Sequence, residues 1–149
     1  MLEGMGRDRE KMERRVKVLL SKLGLDVHNR GIITVASFLK DAGMEVIYIG
    51  NALPEAIVET ALQEGVDAVG VSSLGGAHLT LGRRLLELAR GKGLKERTVF
   101  LIGGVFPPDD AEELRRIGFD GVFMPGAARE EIVSTVHDLV EGKNRENSN

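Results

Sequence analysis

The sequence contains no cysteine. Disulfides, thiolate metal sites and a cysteine nucleophile are thereby excluded, while the compartment stays open. It also lacks a long apolar run: nothing approaches the ~18 residues of a membrane span. Neither sign of charge dominates. Twenty Lys and Arg face 23 Asp and Glu, for a formal net charge of −3, so there is no electrostatic case for nucleic acid or an acidic membrane surface. Residues 1–15 are charged and have no apolar signal core, so a cytoplasmic protein is expected. What is present is ordinary globular composition over 149 residues, enough for one domain with a real core.

The chain alternates two patterns. Short Val- and Ile-rich runs at 16–20, 46–49, 68–72, 99–102 and 121–124 place apolar residues in succession, as strands buried on both faces do. Amphipathic stretches at 32–42, 54–64, 79–92, 108–117 and 130–141 read as helices. Pro54 and Pro108 suit a first helical turn, where a missing N–H is harmless. Gly43, Gly65 and Gly118 fall where helices should stop. Five βα units imply a parallel sheet covered on both faces, a doubly wound, flavodoxin-like (Rossmann-like) α/β fold with strand order 2-1-3-4-5. Residues 16–141 then form the domain, 1–15 a charged arm, and 142–149 a frayed, disordered tail. In this order ligands bind beyond the carboxyl ends of strands 1 and 3.

The loops expected there are unusual. "SKLGLDVHNRG", 21–31, gives a polar loop of about ten residues between strand 1 and its helix, where ~2–6 is usual. It does not match a G-x-G-x-x-G dinucleotide turn or a P-loop. Nor is it the hydroxyl-rich phosphate loop of a flavodoxin. A phosphoacceptor receiver domain would carry Asp at the end of strand 3, where Ser72 stands. What the loop does carry is Lys22, Asp26 and His28. Neutral imidazole is the commonest nitrogen ligand for a transition metal, and such a ligand gives its other N–H to a carboxylate. Asp26, two residues before His28, faces the same way in extended chain. Alternatively, Asp26 only turns the loop and His28 is exposed; spacing alone leaves both readings open. Glycine clusters follow strands 3, 4 and 5 ("SSLGGAH", "GGVFPP", "PGAA"). All fall on one edge of the sheet, and together they suggest a long slot for something bulky.

These residues resemble the cobalamin-binding domains. "DVHNRG" is similar to their D-x-H-x-x-G signature, "SSL" (72–74) to their S-x-L, and Gly103–Gly104 to the glycine pair that follows. The resemblance runs from about Lys17 to Val140. It implies cobalamin bound with its benzimidazole base detached from cobalt and its nucleotide tail in a slot beside the sheet. His28 is then the metal ligand below cobalt. Catalytic relay roles fall to Asp26, its hydrogen-bond partner, and to Lys22 behind it. Gly31, Ser72, Leu74, Gly103 and Gly104 are expected to line the tail slot, with a side chain at Gly104 projecting into it. The family's Thr after strand 5 is replaced by Ala127.

Lys22 four residues before Asp26, and "VSSLGGAHLTL", resemble the acyl-CoA mutases, methylmalonyl-CoA mutase above all. The resemblance therefore implies an adenosylcobalamin-binding subunit of an isomerase, inactive alone. A separate (β/α)₈ barrel subunit would bind the acyl-CoA, since the chain is too short to hold one. The alternatives are a corrinoid carrier for methyl transfer and a cobalamin sensor or chaperone. His78, at the mouth of the third helix, is expected to serve surface or packing roles, and His137 to be structural or exposed.

Overall fold

The computed structural model describes residues 15–24, 30–73 and 76–148. Its elements alternate strictly: β1 (Lys17–Leu23), α1 (Arg30–Asp41), β2 (Glu45–Ala52), α2 (Pro54–Glu64), β3 (Ala68–Ser73), α3 (His78–Gly91), β4 (Val99–Gly104), α4 (Pro108–Ile117), β5 (Gly121–Phe123) and α5 (Arg129–Ser148). The five strands pair in parallel in the order β2-β1-β3-β4-β5, as the βα rhythm predicts. Gly43, Gly65 and Gly118 all take positive φ at helix ends. At Gly65 the N–H donates to Ala61 O while φ is +63°, a left-handed stop open to glycine at no steric cost.

Strand alternation divides the core in two. Leu19, Leu23, Val69, Val71, Phe100 and Ile102 face α2, α3 and α4. Val18, Leu20, Ala68, Val99 and Leu101 face α1 and α5. The amino edge of the sheet is clipped by two aspartates. Asp67 Oδ2 accepts from the Lys17 N–H at 2.8 Å, and Asp120 Oδ2 accepts from the Phe100 N–H at 2.8 Å. Asp120 also pairs with Lys95 at 3.1 Å. Burial pushes the Lys95 ammonium below its ordinary pKa, against the opposing pull of Asp120.

Several boundaries differ from expectation, β2 among them, which runs on to Ala52. β1 continues through Ser21 and Lys22 to Leu23, and α1 begins at Arg30. The extra strand residues are buried, and Ser21 Oγ donates to Gly50 O at 3.0 Å, holding β1 to β2. At the other end, residues 142–148 continue α5 where a frayed tail was expected. The Lys143 ammonium donates to Lys95 O at 3.0 Å and the Asn147 amide to Glu96 O at 3.5 Å. These contacts carry the helix past Gly142, which marks no stop. Residues 1–14 of the expected arm lie outside the described residues.

Candidate functional site

On the α1/α5 face, side-chain bulk disappears toward the carboxyl edge of the sheet. The amino half of that face carries Val18, Leu20, Val99 and Leu101. Gly70 stands level with Leu20 and Leu101, and beyond it Ser72 and Gly103, in register with each other, are turned toward α1 and α5 by strand alternation. The helices are held off by the bulky half and cannot close on the small half. The result is a cleft of about 560 Å³, within the ~300–1,000 Å³ of small-molecule sites. Its floor includes Gly70, Ser72 and Gly103, and its walls include Val35 and Phe38 of α1 and Ile132 of α5. Thr34 and Ser72 are the hydroxyl side chains among its lining; the remainder is almost wholly apolar. Such a lining suits a flat, weakly polar group more than a phosphate chain.

The two glycines of β4 play different parts. A Cβ on Gly103 would sit 3.6 Å from Phe123 O, an ordinary contact, and a longer side chain would extend into the cleft. A Cβ on Gly104 would meet Ser73 O at 2.1 Å and Phe106 Cε1 at 3.0 Å. Gly104 therefore lines the cleft with backbone only. The expectation that its side chain would project into the slot is corrected: strand alternation turns Gly104 to the other face, against the β3 backbone.

Lys22 is on β1 and not in a loop, in register with Ser72, and only 5% exposed. Gly31, Ser72, Gly103 and Gly104 all line the cleft, and so does Ala127. Asp26, His28 and Leu74 lie outside the described residues. Sequence reasoning missed Gly70, whose signal was legible as the small-residue alternation Ala68-x-Gly70-x-Ser72. It also missed the α1 and α5 wall residues, which a helical apolar stripe does not distinguish from ordinary core.

His78 is buried, in line with the packing expectation, and bonded to Asp110. His137 is 52% exposed beside Asp138 and Glu141. The remaining feature of this edge is apolar exposure. Leu53, Val105 and Met124, just past β2, β4 and β5, are 56%, 65% and 39% exposed, and Ile33 at the start of α1 is 46% exposed.

Comparison with known proteins adds sequence to this geometry. The family model described as "B12 binding domain" matches residues 16–134. The chain is 40% identical to the 2-hydroxyisobutanoyl-CoA mutase small subunit of Aquincola tertiaricarbonis over 86% of this chain and 94% of that protein. It is 44% identical to the pivalyl-CoA mutase small subunit of Xanthobacter autotrophicus over 85% of this chain and 84% of that one. Against methylmalonyl-CoA mutase of Rhizobium meliloti, identity is 36% over 95% of this chain but only 20% of the relative. The fold is that of a solved cobalamin-binding protein from Desulfitobacterium hafniense, with a TM-score of 0.73 and 22% identity over 90% of this chain and 64% of that one.

Proposed function

Because the chain belongs to the B12-binding domain family, we propose that it is the cytoplasmic, adenosylcobalamin-binding small subunit of an acyl-CoA mutase. It works with a separate barrel-type large subunit that binds the acyl-CoA. The observation that carries this reading is the apolar cleft opened by Gly70, Ser72 and Gly103 at the carboxyl edge. Its size, its apolar lining and its place against the carboxyl halves of β3 and β4 fit the flat benzimidazole of cobalamin's detached tail. Relatives matched over most of their own length, the small subunits for 2-hydroxyisobutanoyl-CoA and pivalyl-CoA, support the division into two chains. Methylmalonyl-CoA remains the third candidate substrate, chosen by the large subunit and not by this chain.

The bound cofactor supplies homolytic radical chemistry for carbon-skeleton isomerisation. This chain's residues bind, orient and shield. The cleft walls exclude water from the tail, and Gly103 leaves the floor low enough to admit it. His28 would supply the nitrogen ligand to cobalt, and Asp26 would accept from the other imidazole nitrogen and fix its tautomer. Lys22 stands behind Asp26. Asp26, four residues on, is the partner this reading assigns to it.

Two measurements test the assignments. Cob(II)alamin bound to the wild type should show nitrogen superhyperfine splitting that changes on ¹⁵N-histidine labelling, and His28→Ala should abolish the labelled coupling. Survival of that coupling removes His28 from the site. Asp26→Asn should retain the histidine ligand but bind cobalamin about 10–100-fold more weakly, the usual loss for a partner behind a metal ligand. Titration of the bound-cofactor absorbance measures this, and wild-type affinity with wild-type turnover sinks the relay.

A further inference from the structure

His78 is the first residue of α3, directly after the β3–α3 loop, and Asp110 lies in the first turn of α4, after the β4–α4 loop. His78 Nε2 lies 2.8 Å from Asp110 Oδ2, with side-chain exposures of 8% and 28%. The carboxylate accepts, so this ring nitrogen carries the proton in the neutral tautomer. The ring also stacks on Phe106 of the β4–α4 loop, centroids 5.0 Å apart and planes tilted by 31°. Nδ1 is buried and has no hydrogen-bond partner among the described residues. A histidine kept for packing alone would leave a phenylalanine ring equally useful, since burying a bare ring nitrogen is unfavourable. The contact that distinguishes histidine here is the one to Asp110.

That contact crosses between the two segments that floor the cleft. Ser72 precedes one loop; Gly103, Gly104 and Val105 run into the other. Between them the backbones leave no room for a side chain, since a Cβ on Gly104 would fall 2.1 Å from Ser73 O. The His78–Asp110 bond and the Phe106 stack lie on the opposite face of the sheet from the cleft and hold this approach closed.

We infer that His78 is a positioning residue for the cofactor. Its bond to Asp110 fixes the spacing of the β3 and β4 carboxyl ends, and so the shape of the slot that takes the nucleotide tail. The inference rests on the cobalamin reading above, and its test separates the two. His78→Phe keeps the ring against Phe106 and removes the donor. His78→Gln restores an N–H donor near the Nε2 position.

Binding of cobalamin and of cobinamide, which lacks the tail, is measured on the purified full chain by quenching of a covalent fluorophore. His78→Phe should weaken cobalamin about tenfold, as loss of a buried donor to a carboxylate allows. Cobinamide should change less than about twofold, and His78→Gln should recover most of the loss. Wild-type cobalamin affinity in His78→Phe overturns the inference, as does equal weakening of both ligands. If His78→Phe fails to fold by circular dichroism, Asp110→Asn, which keeps the shape and weakens the acceptor, must show the same cobalamin-selective loss. A wild type that binds neither ligand overturns the cobalamin reading itself and the inference with it.

Discussion

Gly103→Leu should fold as the wild type does and lose most of its affinity for cobalamin while keeping cobinamide. Gly103 sits in β4 beside Ser72 and Phe123 and carries no positive φ, so a side chain adds no backbone strain. Its Cβ would find ordinary contact with Phe123 at 3.6 Å and 3.8 Å. The rest of a leucine would occupy the cleft floor. Overpacking of this kind costs about 1–3 kcal/mol, which is roughly 5–150-fold in affinity. Gly103→Ala should stay near wild type. Gly104 is the contrasting control. Even alanine there drives a methyl into the Ser73 carbonyl, so Gly104→Ala should lower the melting temperature and weaken both ligands together. Isothermal titration of the three variants with both ligands separates these outcomes. Equal loss of cobalamin and cobinamide in Gly103→Leu argues against a tail slot at this position.

The second large effect is all-or-none: no isomerisation by this chain alone with saturating adenosylcobalamin, and turnover once a large subunit is added. Val105 and Met124, which line the cleft, expose apolar surface where it opens, and Ile33 and Leu53 are exposed elsewhere along the same carboxyl edge. Exposed apolar surface gathered at one place marks an interaction site, and covering it would close the reacting centre to water. The assay combines this chain, cofactor and a large subunit from the same genome with 2-hydroxyisobutanoyl-, pivalyl- and methylmalonyl-CoA in turn. Turnover without the large subunit refutes the two-chain reading. Silence with every large subunit, together with methyl transfer to bound cobalt, promotes the corrinoid carrier. Cobalamin binding with neither activity promotes the sensor or chaperone.

The order of the sheet was legible because the strands are short runs rich in apolar residues and the first four helices begin at a proline or stop at or near a glycine. The placement of Gly31, Ser72 and Gly103 beside one cleft was legible too, since all stand at carboxyl ends of strands or amino ends of helices. The orientation of Gly104 was not. Adjacent glycines look alike in a sequence, and only the parity of β4, fixed by Leu101 and Ile102 facing opposite cores, separates them. Lys22 was misread for a related reason: a lysine in an apolar run looks like the start of a loop until its burial is known. The passage of α5 through Gly142 depends on contacts with Lys95 and Glu96, about fifty residues away, which no local pattern encodes.

The absence of a side chain at Gly70 has a consequence for how this sequence can drift. A methyl there would land 2.8 Å from Leu20 Cδ2, because Leu20 leans from β1 across the space a β3 side chain would take. Residues 20 and 70 therefore form one unit of variation. Gly70→Ala alone forces Leu20 out of place, and Leu20→Val alone leaves a void. Made together, the two changes exchange volume across the β1–β3 pair, and their costs should largely cancel. Sequences sharing this floor should show position 20 shrinking wherever position 70 gains a side chain.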